Sequence, residues 1–307
     1  MTELVSQTEE ATAAGPVPAP PGAEPSVARV SQWSDIRHRF FANKLAVVGL
    51  AIIVVLILVA IFAPLLAPHD PLKQDLTSTL QSPGAGHWLG TDALGRDQLS
   101  RLVYGSRIAV IVGLASILVA LVIGVVLGSL AGYYGGWVDT VIMRVADIFF
   151  AFPVLIGAIV LILLMGRGVL PVVLSLAIFS WATFARLLRS QILSVREMDY
   201  VHAAKALGAS QGRIIRKHIL PNSLTSVLVY GTSNVGIAIV AEASLSYLGV
   251  GVDPEVAEWG NMISAGRNFM GVKDFMWTYP SLAIVITALG FILLGNGLRD
   301  ALDPKLR

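Results

Sequence analysis

Six long apolar stretches dominate this chain and restrict what it can fold into. A helix needs about 20 consecutive apolar residues to cross the hydrocarbon core of a bilayer. Six segments meet or approach that length, at 45–68, 108–131, 141–166, 168–185, 224–247 and 275–298. Only 14% of all residues are charged, whereas soluble domains have roughly 25%. We therefore predict an all-α integral membrane protein with six transmembrane helices, of which the fourth is the shortest.

The distribution of basic residues predicts the orientation of these helices. Arg and Lys are enriched in the cytoplasmic loops of membrane proteins. With both termini in the cytoplasm, the inner segments hold roughly twice as many Arg and Lys residues as the outer ones. The segment 69–107 departs from the rule, since it is predicted to be external and yet contains four basic residues. We expect both termini to be cytoplasmic.

The two ends of the chain differ from its apolar middle. Residues 1–30 are rich in Ala, Pro, Gly and Glu, and they contain too little apolar surface to order themselves, so we predict a disordered tail. Residues 31–44 are basic and aromatic, which is typical of an interfacial helix at the inner leaflet of the membrane lipid. Residues 299–307 are the predicted cytoplasmic carboxyl terminus.

Small and polar residues within the apolar stretches predict contacts between helices. Gly124, Gly128 and Gly132 recur every four residues, which is the spacing of a close helix–helix seam. Arg144 and Asp147 are three residues apart and either form a pair or leave Arg144 to extend to the membrane surface. Polar groups deep in the fifth stretch either line a pathway or form an interhelical hydrogen-bond cluster. These polar residues include Ser233, Asn234 and Glu242.

The segment 186–221, between the fourth and fifth stretches, is too long for a simple turn. Its apolar residues recur at helical spacing on both sides of Gly208, which is expected to break the helix. We predict two short helices joined at Gly208, which form a rigid cytoplasmic knob. Such a knob passes motion from a soluble partner to the helices that it joins. The alternative is a pair of amphipathic helices lying on the inner leaflet.

A compact polar motif lies in the predicted external segment. Its Gly-Thr-Asp and Gly-Arg-Asp sequences are typical of turns and of helix N-caps. We expect the motif either to cap the helix bundle, which its composition favours, or to contact an external partner protein. Its residues are His87, Gly90, Thr91, Asp92, Gly95, Arg96 and Asp97.

The sequence argues against catalysis by this chain. It contains no Cys, which excludes a thiolate metal site and a cysteine nucleophile. Its five His residues are scattered and include no i, i+4 pair, so no metal site is expected. No Lys follows a Gly, which excludes the phosphate-binding motif G-x-x-x-x-G-K-[ST]. We therefore expect no cofactor, and the net charge of +2 gives no indication of nucleic-acid binding.

Four segments of the chain resemble, in order, those of one transporter family. The segment that begins His202-Ala203-Ala204 and ends at Pro221 resembles the EAA loop of ABC importer permeases, with His202 in place of the usual acid. The segments 87–107, 139–153 and 297–307 resemble the C-type permease subunit of the dipeptide, oligopeptide and nickel importers. The similarity covers about residues 37–307. The chain is accordingly identified as a member of this family.

The resemblance implies the fold, the partners and the mechanism. It implies an ABC type I importer permease fold in a bacterial plasma membrane, paired with a B-type permease. Two ATPase subunits, which bind ATP and Mg²⁺, and an extracytoplasmic substrate-binding protein complete the importer. Alternating access driven by ATP then moves dipeptides or oligopeptides. The residues implied in ATPase coupling are His202, Ala203, Ala204, Leu207, Gly208, Leu220 and Pro221.

Two other classes of protein fit the apolar stretches alone. The first is a secondary transporter or channel that works without ATP, but ion-coupled carriers keep charged ligands deep in their helices, and most stretches here have none. The second is a membrane anchor, which would not need polar groups midway along the fifth stretch.

Overall fold

The computed structural model of the protein describes residues 32–302, and its regular secondary structure is helical. The predicted disorder of residues 1–30, and residues 303–307 of the carboxyl terminus, lie outside the described residues. The described helices are α1 Gln32–Ala42, α2 Lys44–Ile61, α3 Ala63–Leu66, α4 Gln98–Tyr134, α5 Gly136–Ala151, α6 Val154–Met165, α7 Val169–Arg196, α8 Asp199–Ala206, α9 Gln211–Ile214, α10 Leu220–Tyr247, α11 Trp259–Gly266 and α12 Phe275–Leu302. A π-helical turn, Ile215–Ile219, joins α9 to α10.

Five continuous helices of the described chain are long and apolar enough to cross a membrane. They are α2, α4, α7, α10 with the turns before it, and α12. The third predicted span, 141–166, is instead two helices, α5 and α6, bent by 91°. Pro153 explains the bend, because proline lacks an amide hydrogen and holds the preceding Phe152 in an extended conformation. The six predicted spans therefore correspond to five continuous helices and one broken pair.

Several helices are longer than the predicted apolar stretches, because a helix continues where its side chains still pack against the bundle. α4 begins at Gln98, so the last part of the predicted external segment 69–107 is helical and continuous with the second span. α7 continues to Arg196, so the first part of segment 186–221 is helical and continuous with the fourth span. The predicted second helix of the knob is continuous with α10 rather than separate.

The glycine row of α4 forms the predicted helix–helix seam, and its partner is α7. Gly124 and Gly128 lie against the α7 backbone at Ala185, and Gly132 lies against Ile192. A Cβ atom at Gly128 would lie 2.6 Å from the carbonyl oxygen of Ala185. On the other side of the bundle, α2 and α10 pack against α12. Small residues thus allow the backbones of α4 and α7 to approach closely.

We expect Gly128→Val to destabilise the bundle by about 3 kcal/mol, because its side chain would enter the α7 backbone. The thermal unfolding midpoint of the purified protein in detergent measures the effect. Gly212→Val is the matched control, since Gly212 is also helical but a Cβ there meets open space among the described residues. Equal midpoints for the two variants would contradict the seam.

Candidate functional site

The predicted knob forms at residues 199–210, where α8 is followed by a tight turn. Val201 is 0% exposed and belongs to the main apolar core, and the partly buried Ala204 packs against that core. Ala203 and Gly208, by contrast, are exposed. The knob is therefore anchored to the bundle on one face and accessible on the other.

The turn that ends α8 requires glycine. Gly208 has a φ of +77°, which lies in the left-handed region that favours glycine. Its N–H donates to the Lys205 carbonyl, and the Ala209 N–H donates to the Ala204 carbonyl, both at 3.0 Å. These two bonds form a Schellman ending. A Cβ at Gly208 would meet open space among the described residues, so backbone conformation rather than crowding requires glycine here, and the predicted bend is confirmed.

The tip of the knob exposes apolar and small side chains. Leu207 is 87% exposed, and a leucine forgoes about 1.5–3 kcal/mol when it remains in water. His202, which stands where the related loops have an acid, is exposed and lies 3.8 Å from a carboxylate oxygen of Glu197. The tip of the knob therefore presents one large apolar side chain beside small residues.

The carboxyl-terminal half of segment 186–221 connects the knob directly to α10. Ile214 and Ile219 are buried in the core on which Val201 packs. Leu220 begins α10, and Pro221 lies in its first turn, where the helix needs no amide donor. The knob is therefore connected to α10 by consecutive helical turns.

Two ion pairs join α5 to α7. Arg189 forms a bidentate pair with Asp139, and Arg186 donates to Asp147 at 2.6 Å. The predicted pair between Arg144 and Asp147 is a weak contact at 3.9 Å, with the Arg144 side chain 80% exposed. Asp147 pairs chiefly with Arg186 instead, because the packing of α5 on α7 brings a closer arginine that local spacing does not reveal.

On the opposite side of the bundle, the polar motif caps the helices as predicted. Asp97 is the N-cap of α4 and accepts hydrogen bonds from the N–H and the hydroxyl of Ser100, both at 2.7 Å. Asp92 accepts from the Arg96 backbone at 2.9 Å and from the Arg96 side chain at 2.7 Å. Thr91 is fully buried and its hydroxyl donates to a backbone carbonyl. Contact of this motif with a binding protein stays a prediction.

Two glycines of the motif allow its compact shape. Gly90 and Gly95 have φ values of +78° and +72°. A Cβ at Gly95 would lie 1.8 Å from the carbonyl oxygen of Asp75, and one at Gly90 would lie 2.5 Å from that of Gln81. Both the backbone conformation and the crowding therefore exclude larger residues.

His87 joins the cap through its ring, with Nδ1 2.8 Å from Oδ1 of Asp97. Burial by itself would raise the pKa of Asp97, but hydrogen bonds from Ser100 and His87, together with the nearby His69, hold that pKa below its ordinary value. His69 and His87 are 18 positions apart, so sequence spacing gave no sign that the fold brings both rings to Asp97.

Arg101, one of the four basic residues of segment 69–107, is a key residue of the cap. It is 2% exposed and donates to the backbone carbonyls of Pro71 at 3.1 Å and Val256 at 3.2 Å. Its Nε lies 3.9 Å from Asp92. Arg101 thereby joins the external segment, the start of α4 and the connection between α10 and α11.

The polar residues of α10 have different surroundings. Glu242 is buried, accepts from the Ser246 hydroxyl at 3.2 Å, and faces Glu258. Glu258 is the N-cap of α11, where it accepts from two backbone N–H groups. For Glu242 the structure therefore shows the predicted alternative of an interhelical polar cluster.

Ser233 and Asn234 lie on different sides of α10. Ser233 packs against α12, where a Cβ at Gly295 would overlap its hydroxyl. Asn234 is partly exposed, and its amide donates to the Tyr230 carbonyl of its own helix at 2.8 Å. Ser233 and Asn234 are both partly exposed, whereas Glu242 is buried.

In the described part of the chain, five helices long and apolar enough to cross a membrane, with a knob joined to two of them, define a polytopic membrane protein. Residues 124–307 match the family of binding-protein-dependent transport system inner membrane components. Residues 31–83 match the N-terminal transmembrane domain of oligopeptide transport permease C. The chain belongs to the binding-protein-dependent transport system inner membrane component family, and it is a permease subunit of an ABC importer.

Similar proteins align with almost the whole chain. The dipeptide transport system permease protein DppC of Alkalihalophilus pseudofirmus is 42% identical over 95% of this chain and 96% of its own length. The glutathione transport system permease protein GsiD of Pectobacterium atrosepticum is 43% identical over 90% and 92%. The oligopeptide transport system permease protein OppC of Bacillus subtilis is 43% identical over 91% of each chain.

Solved structures confirm the fold. A chain of the MetNI methionine ABC transporter aligns with a TM-score of 0.55 at 19% identity, over 66% of this chain and 97% of that one. A chain of an amino acid ABC transporter aligns with a TM-score of 0.51 at 15% identity, over 64% and 91%. The predicted ABC importer permease fold is thereby confirmed.

Proposed function

We propose that this permease imports short peptides, from dipeptides to oligopeptides. The support is the set of relatives that match nearly the full chain, whose names specify dipeptide, glutathione and oligopeptide transport. These three cargoes share an amide-linked backbone with charged termini. A permease common to them has to conduct peptides of varied side chains, and selection among them falls to a separate binding protein.

The proposed assembly contains a B-type permease, two ATPase subunits and an extracytoplasmic substrate-binding protein. The observation that carries this proposal is the knob, whose exposed Leu207 lies on a helix anchored to the bundle and joined to α7 and α10. When ATP closes the two ATPase subunits, the docked knob moves with them and the two permeases open outward. This chain performs no covalent step, and ATP and Mg²⁺ are bound by the partners.

The translocation pathway passes along one face of α10 in this proposal. Asn234 lies on a stripe of exposed and partly exposed residues at helical spacing, which also includes Tyr230, Ile237 and Ser244. Such a stripe, which contains both polar and apolar side chains, suits a path shared with a second permease. Ser233 and Glu242 have structural roles, since Ser233 is in the α12 contact and Glu242 is buried beside Glu258.

The knob and both termini lie in the cytoplasm of a bacterial cell in this proposal. The support is the greater share of Arg and Lys on the knob side of the spans. The match of residues 124–307 to a family of binding-protein-dependent systems argues against the alternative of a secondary transporter or channel that works without ATP.

Leu207→Ser tests the docking of the knob. An interface that buries a leucine side chain gains about 1.5–3 kcal/mol from it. We therefore expect the variant to copurify less than about a tenth of the amount of ATPase subunit that the original chain copurifies. The tagged chain is purified from its native membrane in detergent, and the copurified ATPase and second permease are identified and quantified.

Leu76→Ser is the matched control for this experiment. Leu76 is 72% exposed on the external segment, so its replacement removes a similar apolar surface on the other side of the bundle. We expect it to leave the recovered complex unchanged. Recovery of the unsubstituted chain alone, or as a homo-oligomer that transports without ATP, would contradict the proposed importer.

A further inference from the structure

We propose that His69, His87 and Asp97 form a binding site for a divalent transition-metal ion, with zinc as the best match. One ligand atom from each of these residues lies within 4.8 Å of the other two. His69 follows α3, His87 belongs to the external segment, and Asp97 is the N-cap of α4. The metal would therefore bind at the junction of three parts of the external cap.

The distances fit a small tetrahedral ion. Nδ1 of His87 is 2.8 Å and Nδ1 of His69 is 3.6 Å from Oδ1 of Asp97. With metal–ligand bonds of about 2.0–2.2 Å, two ligand atoms of a tetrahedral zinc site are about 3.3 Å apart. The two observed distances lie on either side of that value. The His69 contact is also too long for a hydrogen bond, and an ion between the three atoms requires ring movements that bring each pair of ligand atoms to about 3.3 Å, starting from separations within 4.8 Å.

Among the described residues, Oδ1 of Asp97 has only imidazole partners, and a metal ion would replace its hydrogen bond with His87. Oδ2 is held by the N–H and the hydroxyl of Ser100, whereas Oδ1 faces the two imidazoles. The same Ser100 hydroxyl accepts a hydrogen bond from the His69 backbone at 3.1 Å. Ser100 is thus a positioning residue for two of the three ligands, as is common around metal sites.

The ligand set and its accessibility specify the class of ion. Two imidazole nitrogens and one carboxylate oxygen are ligands that zinc accepts readily, and they leave its fourth position for water. The His69 ring is exposed, so an ion can enter from solvent. Metal binding through Nδ1 of His87 requires the tautomer that carries its proton on Nε2.

Zinc binding by the purified full-length chain tests this proposal. The protein is prepared in detergent without a polyhistidine tag, freed of metal with a chelator, and titrated with Zn²⁺ in a calorimeter. We expect one ion to bind per chain. Loss of a residue next to a metal ligand typically weakens binding 10–100-fold, so His69→Ala and His87→Ala should each weaken it at least about 100-fold.

The His69 variant keeps the test decisive even if His87→Ala disturbs the cap. The His69 ring is exposed and the bond to Ser100 comes from its backbone, so His69→Ala removes a ligand without removing the N-cap. His38→Ala removes an exposed imidazole from α1 and should bind zinc as the original protein does. Absence of saturable binding, or unchanged affinity in His69→Ala, would overturn the site. Neither result depends on the proposed peptide transport.

Discussion

Gly208→Asp is expected to abolish ATP-driven uptake while the helix bundle remains folded. Gly208 has a φ of +77° and open space around it among the described residues, so Asp meets strain of about 1 kcal/mol but no clash. An unpaired carboxylate buried in a protein interface costs at least about 2 kcal/mol, or about 30-fold in affinity for the ATPase. Uptake and ATP hydrolysis by the reconstituted importer in vesicles measure the loss.

Gly249→Asp separates backbone strain from docking. Gly249 ends α10 with a φ of +80°, and the N–H groups of Gly249 and Val250 donate to Ser246 and Leu245 in the same Schellman pattern. A Cβ there also meets open space among the described residues. We expect this variant to retain uptake, since it adds the same strain and charge at the other end of α10. Equal loss of uptake in both variants would contradict docking at Gly208.

Arg101→Met is expected to destabilise the external cap by about 3 kcal/mol, because each buried carbonyl that loses its donor costs about 1–3 kcal/mol, whereas Asp92 keeps Arg96 as its closer partner. Asp92 would lose a cation 3.9 Å away, and the carbonyls of Pro71 and Val256 would lose their donors. The thermal unfolding midpoint in detergent should fall by roughly 10 °C.

Arg144→Met is the control for this loss of charge. The Arg144 side chain is 80% exposed and makes only a 3.9 Å contact with Asp147. Its replacement should change the midpoint by no more than about 2 °C, as expected for a surface substitution. A similar midpoint for both variants would show that Arg101 has no special role in joining the cap.

The positions of the helices were largely predictable because lipid imposes a strong local rule. An apolar run long enough to cross the bilayer has few other structures available. α4, α10 and α12 contain the predicted stretches 108–131, 224–247 and 275–298, α7 begins one residue inside the stretch 168–185, and α2 ends at Ile61, before the predicted limit at residue 68. The helix ends were less predictable. The extension of α7 to Arg196 depends on packing outside the membrane, for which no simple hydropathy rule exists.

Parts of the candidate site were predictable where local chemistry is sufficient. The bend at Gly208 and the N-cap at Asp97 follow from residue type and a few neighbours. The partners of Arg101 and Asp147 were not predictable. Arg101 contacts Val256 across the fold, and Asp147 pairs with Arg186 of another helix. Contacts of that range depend on which helices pack together.

Composition, apolar length and a few short motifs were enough to place this chain in a membrane and in a transporter family, because both properties are carried by local runs of residues. The break at Pro153, the burial of Glu242 beside Glu258, and the meeting of His69 and His87 at Asp97 appeared only in the folded chain. The contact of Glu242 with Glu258 and the contact of the two histidines with Asp97 depend on the relative placement of segments that are distant in sequence. The angle at Pro153 depends on how the two helices on either side of the proline pack. That placement is set by the packing of whole helices, and no local pattern encodes it.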